Sequence, residues 1–200
     1  MEGQISIRRA ETGDAAALLD IYKPFITDTA VTFEYDVPTA AEFAARITGT
    51  LTDFPYLVCE RDGAPVGYAY AHRIRERAAY DWAVELSIYL APAAQGRGVG
   101  TALYGCLTDL LEMQHLRILY GCVTLPNEGS RRLHEKLGFT LTGVWHGSGW
   151  KFGRWHDVGW FEKRLGGDAP AQLVVPFPAL EEEKIEECLC RYTAMLKMED

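Results

Sequence analysis

The strongest constraint on this chain is the turn Gln95-Gly96-Arg97-Gly98-Val99-Gly100-Thr101, which lies between a strand-like run and a helix-like run. The apolar stretch Trp82–Leu90, ended by Ala91-Pro92, predicts a strand, and the periodicity after the turn predicts a helix from Val99 to about Gln114. Glycines at 96, 98 and 100 let the backbone bend tightly and approach a ligand with no Cβ in the way. The first N–H groups of the following helix have no intrahelical partner and sit at the positive end of its dipole. Strand, turn and helix together make an anion site suited to phosphate. Two familiar phosphate patterns fail here. No Gly-Lys-Ser/Thr follows, and the glycine spacing is not G-x-G-x-x-G.

Elements on either side of the turn are legible from pattern. Gln4–Arg8 alternates like a strand, and Thr12-Gly13-Asp14 opens an apolar-periodic helix through about Phe25. A second helix is expected over Thr39–Leu51, with Thr39 and Glu42 forming a capping box. Tyr56–Glu60 and Val66–His72 flank a hairpin turn at Arg61-Asp62-Gly63-Ala64-Pro65. Beyond the long helix, Arg117–Val123 reads as a strand, Asn127–Leu137 as a helix closed by Gly138, and Thr140–His146 as a strand. A glycine-rich loop then leads to a last strand, His156–Leu165. Strands joined by both helices and tight turns predict an α/β layer fold with a mixed sheet.

The expected organisation is one domain over residues 1–166, then residues 167–200 as a linker and an acidic amphipathic helix. Gly166-Gly167-Asp168-Ala169-Pro170 reads as the linker. Leu180, Ile185, Cys188, Leu189, Tyr192, Met195 and Leu196 fall near one helix face, as in an appendage packed on its own domain or on a sister subunit.

Composition narrows the function classes. The net charge of −8 speaks against a nucleic-acid partner, since phosphate backbones need a basic face. Half of that charge lies in residues 179–200, so an anionic ligand would depend on local N–H groups and arginines. No apolar run approaches the roughly 20 residues that span a bilayer. The opening MEGQISIRRAETGD has no hydrophobic signal core, so a cytoplasmic location is expected. Five cysteines without C-x-x-C spacing suit a reducing compartment and predict neither a disulfide framework nor a metal site.

Gln95, Gly98 and Gly100 also satisfy Q/R-x-x-G-x-G/A, which resembles the pyrophosphate signature of the GNAT superfamily of N-acetyltransferases. About 27 residues beyond Gly100, the segment Asn127–Phe139 resembles that family's second signature, an N-x-x-(S/A) helix ending in L/A-G-F/Y. Ala79–Glu85, Asp53–Glu60, Leu125-Pro126-Asn127 and above all Lys151-Phe152-Gly153-Arg154-Trp155-His156-Asp157 are similar to the phosphinothricin N-acetyltransferase branch. Relatives within that branch acetylate methionine sulfoximine, methionine sulfone and other small amino acids. The likeness runs from about Ile5 to Leu165. It implies the GNAT fold, a twisted, mostly antiparallel sheet of about seven strands flanked by helices, here with an extra C-terminal helix. It also implies acetyl-CoA as cosubstrate, no metal, a small amino-acid-like amine as acceptor, and a homodimer.

Acyl transfer to an amine needs the neutral amine, and an α-ammonium titrates near about 8, so a base is required. Glu85, a lone charge on an apolar strand, stands where the resemblance places that base; an outward-facing or ion-paired glutamate is the plainer alternative. By the same resemblance, the backbone at Ile88, Tyr89 and Leu90 would hold the pantetheine arm and stabilise the developing oxyanion. The diphosphate would lie on Gln95, Gly96, Arg97, Gly98, Val99, Gly100 and Thr101, and Asn127 would bind a pantetheine amide, or act simply as an N-cap. His134 replaces the tyrosine of many superfamily members, as an acid, a donor to the thiol or an orienter. For an acceptor carboxylate, Arg75 and Arg77 offer guanidinium forks, with Tyr80, Lys151 and Phe152 bordering the pocket. Arg97-Gly98 stands where the phosphinothricin enzymes have threonine-glycine, and the run before Lys151 also differs, which leaves the acceptor open. Acetylation of a protein N-terminus or lysine, or non-catalytic acetyl-CoA binding, are the competing readings.

Overall fold

The computed structural model describes residues 4–167 and 170–199. Met1–Gly3 of the opening stretch, and Asp168 and Ala169 of the expected linker, lie outside them. In chain order the elements are β1 (Ile5–Arg9), α1 (Ala15–Thr27), α2 (Ala40–Leu51), β2 (Tyr56–Arg61), β3 (Ala64–Arg73), β4 (Ala83–Leu90), α3 (Val99–Met113), β5 (Ile118–Leu125), α4 (Glu128–Lys136), β6 (Thr140–Lys151), β7 (Arg154–Arg164) and α5 (Glu182–Glu199). The strands form one seven-stranded sheet in the order β1-β2-β3-β4-β5-β7-β6. Every neighbouring pair is antiparallel except β4 and β5.

Local chemistry explains the tight connections. Asp62 and Gly63 both take positive φ, 53° and 77°, so β2 and β3 are joined by the two-residue turn that suits strand twist. The Thr39–Glu42 capping box forms as its spacing predicts, and starts α2. The glycine-rich segment before the last strand behaves differently from its reading as a loop. β6 continues through it to Lys151, with an irregularity between Trp145 and Gly149, and Trp150 pairs opposite Trp155 across a turn at Phe152-Gly153. Ladder bonds and the tryptophan pair, whose rings lie 5.2 Å apart, outweigh the glycines' preference for irregular backbone.

Side-chain alternation sorts the sheet into two faces. One carries Tyr56, Tyr68, Tyr70 and Tyr89 and is covered by α1 and α2. The other carries Leu57, Ala69, Ala71, Val84 and Leu86 and is covered by α3. α3 is buried nearly all round because α5 closes its outer side, with Ile185, Cys188, Leu189 and Leu196 inserted into the same core. Gly105 lets the Tyr192 ring lie directly on α3, since a Cβ there would fall 2.5 Å from it. The Tyr192 hydroxyl donates to Asp109 at 2.8 Å, and Thr193 Oγ1 accepts from the Ile7 N–H at 2.8 Å, capping part of the edge strand β1. Met195, expected on the buried face, is instead 44% exposed. The strap before α5 is fastened by the buried Gln114, whose side-chain amide donates to the carbonyls of Asp53 and Val175, 2.7 Å each.

Because α5 completes the main core, Leu189→Ala and Ile185→Ala are each expected to cost about 2–4 kcal/mol. Urea unfolding followed by far-UV circular dichroism should show one transition moved to lower urea. An unchanged midpoint would mean that the helix is a passive appendage.

Candidate active site

The site begins where the sheet comes apart. β4 and β5 pair only over Ala83–Leu86 and Ile118–Gly121, although they run on to Leu90 and Leu125. Their far sides stay paired, Ser87–Leu90 with β3 and Cys122–Leu125 with β7. A wedge therefore opens between them, edged by peptide groups with no ladder partner across the gap. His134 of α4 packs into its apex: a Cβ on Gly121 would lie 2.1 Å from His134 Nε2. Tyr104 of α3 backs the ring at 5.4 Å. A small cavity of about 50 Å³ in the wedge is lined by Ser87, Tyr89, Cys122, Asn127 and His134, among others.

The wedge continues into a groove of about 490 Å³ across the end of α3. Ile88 and Leu90 of β4, Gln95, Gly96, Gly98, Gly100 and Thr101 of the turn, and Asn127 all line it. Gly96 and Gly98 have φ of 72° and 76°, in the left-handed region that glycine enters without strain. Gly98 is also the N-cap of α3 and has no side chain to occupy the first N–H groups, which stay available to an anion. Arg132 and Lys136 of α4 line the groove and bring positive charge. Val99 is buried in the core, and the Arg97 side chain is exposed and is not part of the groove lining. Asn127 is the N-cap of α4, accepting from the Ser130 N–H at 3.0 Å.

Glu85 sits on the tyrosine face, directly opposite His72 in the ladder with β3. Its carboxylate lies 3.9 Å from His72 Nε2 and its side chain is 21% exposed. Burial raises its pKa above the ordinary glutamate range, while His72 and Arg75 pull the other way. The remaining acceptor candidates scatter. Arg75 acts on Glu85 electrostatically, whereas Arg77 and Tyr80 flank an exposed turn. Phe152 is exposed at the β6–β7 turn. Lys151 is buried and donates from Nζ to the Thr32 carbonyl at 2.7 Å, and burial lowers its pKa.

His134 has a fixed tautomer. Nδ1 lies 2.8 Å from the Ser130 carbonyl, which can only accept, so Nδ1 carries a proton. Nε2 is buried with no protein partner, and burial lowers the pKa of the ring. The neutral ring therefore presents a bare acceptor to the wedge.

A groove with a left-handed glycine turn, an unfilled helix N-terminus and an orphaned imidazole nitrogen beside a split parallel strand pair agrees with what the family comparison finds. Residues 7–160 match the model of the acetyltransferase (GNAT) domain. The chain belongs to the GNAT acetyltransferase family. Phosphinothricin N-acetyltransferase of Streptomyces viridochromogenes is 36% identical over 172 residues, covering 86% of this chain and 94% of that protein. An L-methionine sulfoximine/L-methionine sulfone acetyltransferase of Salmonella typhimurium is 33% identical over 162 residues, covering 80% and 95%. Among solved structures, a GNAT phosphinothricin acetyltransferase of Sinorhizobium meliloti in complex with AcCoA matches with a TM-score of 0.81 at 34% identity, covering 88% of this chain and 98% of that one.

One part of this GNAT site escapes sequence reasoning, the segment between α1 and α2. Val31 lines both the groove and the wedge cavity. Phe33 packs on Gly149, where a Cβ would fall 2.1 Å from its ring. Glu34 accepts from Tyr22 at 3.0 Å and from Arg46 at 2.7 Å, and Tyr35 donates to the Trp150 carbonyl. The signal available was the run Val31-Thr32-Phe33-Glu34-Tyr35, unusually rich in β-branched and aromatic residues for a link between helices.

The lowered pKa of His134 has a thermodynamic consequence. Above the unfolded value of about 6.5 the ring is neutral in both states and contributes nothing; as pH falls below it, the unfolded chain binds the proton first and stability drops until the folded pKa is reached. Urea midpoints are expected to fall between pH 7.5 and 5, less steeply in His134→Gln. Equal slopes in the two proteins would contradict the buried, neutral ring.

Proposed function

We propose that the chain transfers an acetyl group from acetyl-CoA to the amine of a small amino-acid-like substrate, with Glu85 as general base. The observation carrying this reading is the position of Glu85 in the last paired stretch of β4, one residue before the ladder with β5 ends and the groove begins. Acetyl-CoA, when bound, supplies the acetyl thioester. The residues present fit it: the turn Gln95–Thr101 and the α3 N-terminus for the diphosphate, Arg132 and Lys136 for the remaining phosphate charge, and the free edge at Ile88–Leu90 with Asn127 for the pantetheine arm. The names of the relatives, phosphinothricin and methionine sulfoximine acetyltransferases, support an acceptor of that class.

Glu85 would take a proton from the substrate ammonium, and its raised pKa suits a base working near neutrality. Backbone N–H groups along the open edge of β4 would face the developing oxyanion. His134, protonated on Nδ1 and bare on Nε2, would orient by accepting a hydrogen bond. Arg75, the cation acting on Glu85, is the candidate for an acceptor carboxylate. Proton loss from both Glu85 and the amine favours reaction, so kcat/KM should rise with pH through a limb above the usual glutamate range. A thiol-release screen over phosphinothricin, methionine sulfoximine, methionine sulfone, proteinogenic amino acids and polyamines is expected to find an acceptor. Glu85→Gln should lower kcat on it about 10²–10⁴-fold and make that limb shallower, leaving only the amine's share of it. Undiminished turnover in Glu85→Gln would remove Glu85 from the role, and acetyl-CoA binding without turnover on any amine would favour a binding module.

We further propose a homodimer in the cytoplasm. The outer hairpin β6–β7 exposes Trp145, Trp150, Phe152 and Trp155, an apolar group suited to a second copy, and it adjoins the segment that closes the site. Sedimentation equilibrium should give about twice the chain mass of 22.4 kDa. Trp145→Glu/Trp155→Glu should give single chains, and a wild-type monomer would refute the dimer.

A further inference from the structure

Each turnover with an ammonium substrate leaves one proton on Glu85 that must reach solvent before the next. Glu85 is mostly buried, so its proton needs a carrier. Among the described residues, the titratable or charged groups that act on it are Tyr70, His72 and Arg75 from β3 and the segment after it, Tyr104 from α3, and Cys122 from β5. Burial raises the pKa of Tyr70 and Tyr104, and partial desolvation pushes the thiol of the otherwise exposed Cys122 up to about 12, so these three keep their own protons near neutral pH and are not free bases. Arg75 is a permanent cation. That leaves His72.

Its geometry suits the task. His72 Nδ1 lies 3.2 Å from the Arg73 carbonyl, which can only accept, so the neutral ring keeps its proton on Nδ1 and offers Nε2 as the free lone pair. Nε2 is the atom 3.9 Å from the Glu85 carboxylate, a separation that a small rotation or one water closes. The ring is 41% exposed against 21% for Glu85. It also lines a cavity of about 460 Å³ between α2 and the ends of β2 and β3, whose rim includes the exposed residues Arg46 and Gly49. Tyr70 is its aromatic neighbour at 6.0 Å.

We infer that His72 is the proton relay of this site, taking the proton from Glu85 at Nε2 and delivering it to water in the cavity beside α2. The inference rests on Glu85 being the base. The proton leaves the substrate N–H for a Glu85 oxygen, passes from that oxygen to His72 Nε2, and then moves from Nε2 to water. Carboxylate and neutral imidazole are restored, and one proton is released per acetyl transferred.

The test uses wild type, His72→Ala, His72→Gln and Glu85→Gln with acetyl-CoA and phosphinothricin, in low buffer. His72→Ala and His72→Gln are expected to lose kcat about tenfold with KM nearly unchanged, and added imidazole should restore it with a pH dependence matching its own titration. Full kcat in the His72 variants, or a loss that imidazole does not restore, would overturn the relay while leaving Glu85 as base. A fully active Glu85→Gln enzyme would instead overturn the base itself. An acceptor-free measurement runs in parallel, long-range ¹H–¹⁵N NMR of the neutral His72 ring. The Nδ1–H tautomer is expected, because the Arg73 carbonyl faces Nδ1. An Nε2–H tautomer would leave no lone pair facing Glu85 and would overturn the relay whatever the enzyme accepts.

Discussion

Everything distinctive in this molecule follows from a parallel strand pair that stops bonding halfway along its length. Leaving the N–H and C=O groups of β4 and β5 without partners is costly if they are also kept from water, of order 1–3 kcal/mol for each buried group. The fold tolerates it because each strand keeps a full ladder on its other side, and because the gap connects to an open groove. An imidazole at the apex helps hold the strands apart. Gly121 leaves the only kind of space in which the His134 ring can lie against the strand, and Tyr104, Phe139 and Phe161 fix the ring from other directions. The peptide groups freed in this way are a ready hydrogen-bonding edge for an extended amide-bearing chain such as pantetheine.

Charge is arranged locally against an unfavourable total. A chain of net charge −8 would repel a polyanion if its acidity were spread evenly. Half of that net charge lies in residues 179–200, where Glu182 and Glu186 meet Arg9, while Arg191 meets Asp109 of α3. The groove has instead a helix N-terminus, Arg132 and Lys136. These contributions act over the first turn of α3 and within a Debye length, which is the range over which a bound diphosphate would feel them.

How much of this could be read from the chain depended on whether the cause was local. The glycine turn, the Asp62-Gly63 hairpin, the Thr39–Glu42 box and the Asn127 cap are each decided within a few residues, and all were legible. The length of β6 was not, because Gly147 and Gly149 argue for a loop and only cross-strand pairing with β7 overrides them. Nor was the closing segment around Phe33, whose place is set by Gly149, distant in sequence. Lys151 illustrates the same limit. Its motif put it at the border of the acceptor pocket, and nothing local shows that one of its ammonium donors meets the Thr32 carbonyl and so joins that segment to the outer hairpin.

Position along β4 separates two demands that a single strand must satisfy. Glu85 lies where the strand is bonded on both sides, opposite His72 in one ladder and Tyr120 in the other, so its backbone is fixed. Two residues later the strand is bonded on one side only, and its free edge is available to a ligand. Alternation then matters as much as spacing. Val84 and Leu86 point into the α3 core and Glu85 between them must point to the tyrosine face, so a register slip of one residue would bury the carboxylate among leucines and expose two apolar side chains. The apolar neighbours of Glu85 thus hold the carboxylate in place: the burial free energy of Val84 and Leu86 keeps it on the tyrosine face, one residue before the ladder with β5 ends and 3.9 Å from the more exposed His72.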